Sequence, residues 1–150
     1  MGFQQNNTWG FPSQQKGSFP KGQPKTAPII AEPIPKNYLD QAEELMQENA
    51  RLITTSKIRR LFSSVTEIYN KENLSTQEEL APESVSAVGM MRIRFAYECG
   101  RDKKVKTFVE KAHLMNYLKG IGNSRGEFIK FTRYMEALVA YHKFFGGREM

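Results

Sequence analysis

The stretch S-R-G-E-F-I-K-F-T-R-Y-M-E-A-L-V-A-Y-H-K-F-F-G-G, residues 124–147, reads as one long helix with both ends marked. Ser124 and Glu127 have the S-x-x-E spacing of a capping box, and Gly146-Gly147 closes the other end with residues suited to the turn beyond a helix. Between them Phe128, Phe131, Met135, Leu138, His142 and Phe145 recur at three and four, which gives a single inner stripe. At 100° per residue, Arg133, Ala137, Ala140 and Phe144 fall on the opposite side. A helix that is apolar or small on two faces is either central in a bundle or a contact surface between subunits.

Working back toward the N-terminus, the same period recurs and no alternating strand pattern interrupts it. A fourth segment shows Val105, Phe108, Val109, Ala112, Met115 and Leu118 and stops at the break from Gly120 to Gly122. A third opens at Pro82, tolerated in a first turn, turns Val85, Val88, Met91, Phe95 and Cys99 inward, and ends near Gly100. A second starts near Ser56 with Ile58, Leu61, Phe62, Val65, Ile68 and Tyr69 on one face. The first begins at Asn37, with Asp40 in its first turn and a stripe through Tyr38, Ala42, Leu45 and Met46. The expected fold is all-α, a compact bundle of about five helices over residues 37–150.

Residues 1–36 differ in kind. They hold six of the seven prolines, much Gln and Asn, and no acidic residue before Glu32. Such a composition buries too little apolar surface to offset its ordering entropy, so a disordered N-terminal arm is expected there. Phe3, Trp9, Phe11 and Phe19, with Lys16, Lys21 and Lys25 among them, either stack on bases or a partner or belong to a simple tail.

The chain has 150 residues, one domain by size, and 22 Lys+Arg against 16 Asp+Glu, a net charge of +6 that favours anionic partners. The single cysteine, Cys99, excludes an internal disulfide and fits a reducing, cytoplasmic setting. No apolar run is long enough for a membrane span, and no signal pattern opens the sequence, so no membrane association is expected.

No converging catalytic set emerges. His113 and His142 lie on different segments, and His142 sits on an apolar stripe as a core histidine would. Two histidines make no metal site, and no cofactor is implied. Cys99 has the phase of a small core residue. G-I-G-N-S-R-G at 120–126 joins two helices and lacks both the preceding strand and the G-K-[ST] ending of a phosphate loop. Glu43-Glu44 and Glu78-Glu79 read as solvated pairs.

The cations say more. Six of the fifteen positions from Arg92 to Lys106 are Arg or Lys against two acids, the strongest positive run in the chain. Arg94 and Arg101 are seven apart and share a face with Tyr97 between them, an arrangement that suits a phosphate backbone with a stackable base, or else a solvated face with local ion pairs. Arg92 lies nearer the core stripe and needs a partner, through a structural ion pair or by reaching across the seam to a functional surface. T-T-S-K-I-R-R at 54–60 sets Lys57, Arg59 and Arg60 at a helix start, against the dipole. Arg125 enters the last helix in the same way. Helix entrances that combine N–H groups with cations are what a phosphate requires.

Four blocks in register also resemble one family. L-I-T-T-S-K-I-R-R-L-F (52–62), M-R-I-R-F-A-Y-E-C-G-R (91–101), V-K-T-F-V-E-K-A (105–112) and R-Y-M-E-A-L-V-A-Y-H-K-F-F-G-G (133–147) are similar to the small subunit of the type III-A CRISPR effector, the Csm complex. The N-terminal arm has no counterpart in that pattern, and Cys99 stands where the family has a small residue. The resemblance implies a non-catalytic helical subunit stacked in several copies beside guide RNA (crRNA) and target RNA, with the backbone and large subunits as further partners. It implies RNA contacts for Lys57, Arg59, Arg60, Arg94, Arg101, Arg125 and Arg133, and a neighbouring copy against the spare face of the last helix. The alternative is a helical protein–protein spacer with no direct RNA contact, distinguished by the response of binding to salt.

Overall fold

The computed structural model describes residues 28–147, and among them there are six helices and no strand beyond one isolated bridge between Glu79 and Ser124. In chain order they are α1 (Tyr38–Asn49), α2 (Thr55–Glu72), α3 (Pro82–Arg101), α4 (Lys103–Lys111), α5 (Leu114–Ile121) and α6 (Arg125–Phe144). The all-α expectation holds. What was read as one fourth segment is two helices, because His113 takes a left-handed conformation (φ 59°) and breaks the ladder between Ala112 and Leu114. The buried positions change phase at that break, from Val105, Phe108, Val109 and Ala112 to Leu114, Tyr117, Leu118 and Ile121, and Met115 of the expected stripe is only partly buried.

α6 packs on α1, α2 and α5, and its Phe128, Phe131, Tyr134, Met135 and Leu138 are fully buried, so α6 is central. Its last turn is fixed from inside: the His142 ring is buried with Nε2 2.7 Å from the Ile53 carbonyl, which requires the N–H on Nε2. A Cβ at Gly147 would lie 2.1 Å from that ring, so only glycine lets the chain pass His142. Tyr134 donates to the Ala112 carbonyl at 2.9 Å, and burial pushes its phenol well above the ordinary tyrosine range. α2 runs antiparallel to α6 and to α3. Its end is bonded to the start of α6, and its start is bonded to the end of α3.

The arm boundary requires correction. Residues 28–36, expected within the disordered arm, form an extended strap along α5 and α6. Ile34 is buried in the core, and its N–H donates to Glu127 Oε1 at 3.3 Å. The Glu32 N–H donates to the Asn116 carbonyl at 3.1 Å, Asn116 Nδ2 to the Ile30 carbonyl at 2.9 Å, and Lys119 Nζ to the Ile29 carbonyl at 2.9 Å. Gly120 makes this approach possible, since a Cβ there would stand 2.3 Å from the Glu32 carbonyl oxygen. Glu127 therefore closes the strap, while Ser124 alone caps α6 by accepting from the Glu127 N–H at 3.1 Å. The arm aromatics Phe3, Trp9, Phe11 and Phe19 lie outside the described residues.

Candidate nucleic-acid interface

The start of α2 and the end of α3 meet at one end of the bundle, and the cations converge there. Thr54 caps α2 by accepting from the Lys57 N–H at 3.4 Å. The Lys57 side chain turns away from its own helix and donates to the Asp102 carboxylate. The conflict between cation and helix dipole is thus offset by a carboxylate from another element. Arg60 lies 3.5 Å from Glu98, and Arg101 reaches the other oxygen of the same carboxylate at 3.9 Å. The Arg101 guanidinium sits 5.6 Å over the ring of exposed Tyr97.

Asp102 was not singled out in the sequence and organises this corner. It ends α3 and caps α4, accepting from the N–H groups of Lys104 (2.9 Å) and Val105 (3.3 Å). The Lys57 hydrogen bond, supported by those two N–H groups, holds its carboxyl below the ordinary range. α3 ends at Arg101, next to the Gly100 at which the sequence suggested an end. The signal was present as D-K-K-V, a cap residue just before an apolar stripe, and the glycine obscured it. Glu98, mostly covered, is the second organiser.

Partly exposed ion pairs of this kind contribute little stability, so their effect is to place charges. Lys57, Arg60 and Arg101 are drawn together by two acids. Arg94 stands two turns before Arg101, about 10 Å along α3, on the same flank. It is exposed and bonded to no described residue. Arg59 is exposed and unpaired as well, but 100° around α2 from Arg60, and Arg133 is exposed on the outer side of α6. Lys103 and Lys104 are exposed beside Asp102 and add to the same corner.

Arg125 does not belong to this group. It is buried, and its donors go to the Gln77 carbonyl, the Glu72 carbonyl at 2.7 Å, the Glu79 carbonyl at 3.0 Å and the Glu72 carboxylate. It stitches the loop after α2 to the start of α6. Its N–H is also taken, by the Glu78 carbonyl at 3.0 Å. The entrance of α6 is therefore closed to a phosphate, and the site lies about 15 residues, roughly 22 Å along α2, from the Lys57 corner. Burial raises the Glu72 carboxyl, but hydrogen bonds from Ser84, the Ala81 N–H and Arg125 outweigh it and leave the group below the ordinary range.

Among the described residues no three His, Cys, Asp or Glu side chains are grouped to hold a metal, and no helix is long and apolar enough to cross a membrane. Cys99 is half-buried, and burial with Glu110 nearby pushes its thiol up to about 11, which suits a core thiol and not a nucleophile. His113 faces Glu32 at 3.3 Å and stacks on Tyr117. Outside the basic corner the exposed apolar side chains include Met90 and Ile93 on α3 and Phe144 on α6.

Residues 32–148 match the family described as Csm2 Type III-A. A protein of Streptococcus thermophilus named CRISPR system Cms protein Csm2 is 38% identical over 120 residues, which covers 76% of this chain and 95% of the relative. A protein of the same name from Mycobacterium tuberculosis is 36% identical over 120 residues, covering 77% of this chain and 97% of the relative. One from Enterococcus italicus is 30% identical over 123 residues, covering 71% and 88%.

Proposed function

This chain belongs to the Csm2 family, the small subunit of type III-A CRISPR systems, and on that premise we propose that it is a non-catalytic RNA-binding assembly subunit, stacked in copies along guide RNA and target RNA in the cytoplasm. The observation that carries this reading is the corner where α2 meets α3. Lys57, Arg60 and Arg101 are gathered by Glu98 and Asp102, with Arg94, Arg59 and the exposed ring of Tyr97 beside them. Positive charge spaced by helix turns around an accessible aromatic suits a sugar-phosphate backbone, with sequence choice left to the paired guide. Arg133 extends the contact onto α6. Arg125 is left out, because its donors are used inside the fold.

The backbone and large subunits of the Csm complex and a second copy of the chain are the protein partners on this reading. Exposed Met90 and Ile93 on α3 and Phe144 on α6 are the side chains they would cover. Those same residues favour the second reading, a protein–protein spacer without RNA contact.

Salt separates the two. Full-length protein is titrated into a fluorescent single-stranded RNA of mixed sequence at several salt concentrations, alongside Arg59→Ala/Arg60→Ala. The double variant should keep its helicity and lose affinity, with the slope of log K against log salt flatter by about 1.4 for two lost phosphate contacts. Equal affinity and slope in both proteins, or a flat response in the parent, would sink the phosphate-contact reading and favour the spacer.

A further inference from the structure

α3 holds three arginines and two acids, Glu83 in its first turn and Glu98 near its end. Arg92, for which the sequence allowed a structural ion pair, has none among the described residues, and Arg94 is exposed and unpaired. Glu98 goes instead to Arg101 of its own helix and to Arg60 of α2. Its carboxylate stands 3.5 Å from one guanidinium and 3.9 Å from the other, against about 2.7–2.9 Å for a charge-assisted hydrogen bond. No backbone N–H or hydroxyl among the described residues donates to it. Asp102 shows the contrast. One of its oxygens accepts from two backbone N–H groups and the other from Lys57, so Asp102 is built into the junction of α3 and α4.

Glu98 is also the covered member of its group. Its side chain is 13% exposed, while those of Arg60 and Arg101 are 50% and 54% exposed. Taking a carboxylate most of the way out of water is costly, and loose pairs with exposed cations offset little of that. Folding therefore gives no reason for a charge at this position. The charge acts on the two cations: a phosphate that approaches Arg60 or Arg101 meets guanidinium groups already beside an anion, and it meets that anion's repulsion as well.

We propose that Glu98 is a resident counter-anion that restrains RNA binding at this corner, engaging Arg60 and Arg101 until a phosphate takes its place. A single subunit then holds RNA weakly, because each contact at these arginines exchanges one anion for another. RNA already held by neighbouring copies presents its phosphates at a high effective concentration, and there the exchange is favoured. The inference rests on the RNA-binding reading above.

Its test uses the full-length protein and the same fluorescent RNA near 0.1 M salt. The variants are Glu98→Gln, Glu83→Gln, and Arg60→Ala/Arg101→Ala with and without Glu98→Gln, with Arg59→Ala/Arg60→Ala in parallel. Glu98→Gln should keep the parent's melting temperature and bind RNA about three- to tenfold more tightly, the release of two exposed ion pairs. Glu83→Gln changes the net charge equally but lies about 22 Å away along α3, beyond the screening length, so its affinity should stay within about twofold of the parent's. In the Arg60→Ala/Arg101→Ala background Glu98→Gln should add nothing. Equal or weaker binding by Glu98→Gln, with Arg59→Ala/Arg60→Ala still weakened, overturns the proposal and leaves the RNA reading standing. A gain matched by Glu83→Gln overturns it in favour of net charge alone, and a gain that survives loss of both arginines overturns it because Glu98 then acts elsewhere. If neither Glu98→Gln nor Arg59→Ala/Arg60→Ala changes binding, the RNA reading itself fails and the inference with it.

Discussion

Replacing Arg125 by methionine should damage the fold without touching the interface. The substitution keeps much of the apolar stem and removes every donor. Left behind are the carbonyls of Glu72, Gln77 and Glu79 and the carboxylate of Glu72, which is itself buried. Breaking a buried ion pair by deleting one partner costs about 3–5 kcal/mol. In a protein of this size each kcal/mol moves the melting temperature by roughly 2–4 °C, so a fall of about 6–20 °C is expected. Thermal unfolding followed by far-UV circular dichroism measures it, and RNA titration below the transition reports the other half of the expectation, an unchanged salt slope. Acid supplies an internal check. In the variant the Glu72 charge is uncompensated, so protonating it relieves part of the defect and the gap from the parent should narrow as pH falls. A variant that melts with the parent and has lost RNA affinity would refute this reasoning and return Arg125 to the interface.

Gly120→Ala should push the Glu32 carbonyl off α5 and lift the strap, losing much of the Ile34 burial and two hydrogen bonds, roughly 2–4 kcal/mol together. Faster protease cleavage between residues 28 and 37 with a lower melting temperature checks it, and an unaltered cleavage rate would mean the approach is not as tight as drawn. The folded carboxyls of Glu72 and Asp102 lie below their unfolded values, so their contribution to stability is complete above about pH 5 and fades as pH falls through the folded values. Melting temperature should be flat from neutral to about pH 5 and drop below about pH 4, and Glu72→Gln should lower the plateau while flattening the acid limb; an acid limb as steep as the parent's would exclude Glu72 from it.

The helices were legible because their signals are local. The cap residue Ser124, the first-turn Pro82 and the stripe of α6 each act within a turn or two, and the structure places those elements as their spacing indicates. What could not be read depends on partners far along the chain. The strap was taken for tail because its prolines and polar residues describe its own composition, whereas its order comes from Asn116, Gly120 and Glu127, some ninety residues on. Arg125 and Lys57 look alike in sequence, each a cation in the first turn of a helix. Only the fold sets Lys57 on a surface beside Asp102 and encloses Arg125 among carbonyls. Charge spacing thus located the basic corner, and it could not tell a cation held at the surface from one enclosed by carbonyls.

The strap also orders events during synthesis. Residues 29–34 leave the ribosome long before their partners exist, because Ile34 must wait for Glu127, 93 residues later, and Ile29 for Lys119, 90 residues later. Closing so long a loop adds only about 0.6 kcal/mol over one half its length, so equilibrium hardly registers the distance. Rate does, since non-local contacts form after local ones. The nascent chain therefore carries Ile34 uncovered until α5 and α6 have been made and paired, and the strap is closed last by the part of the described chain that was translated first.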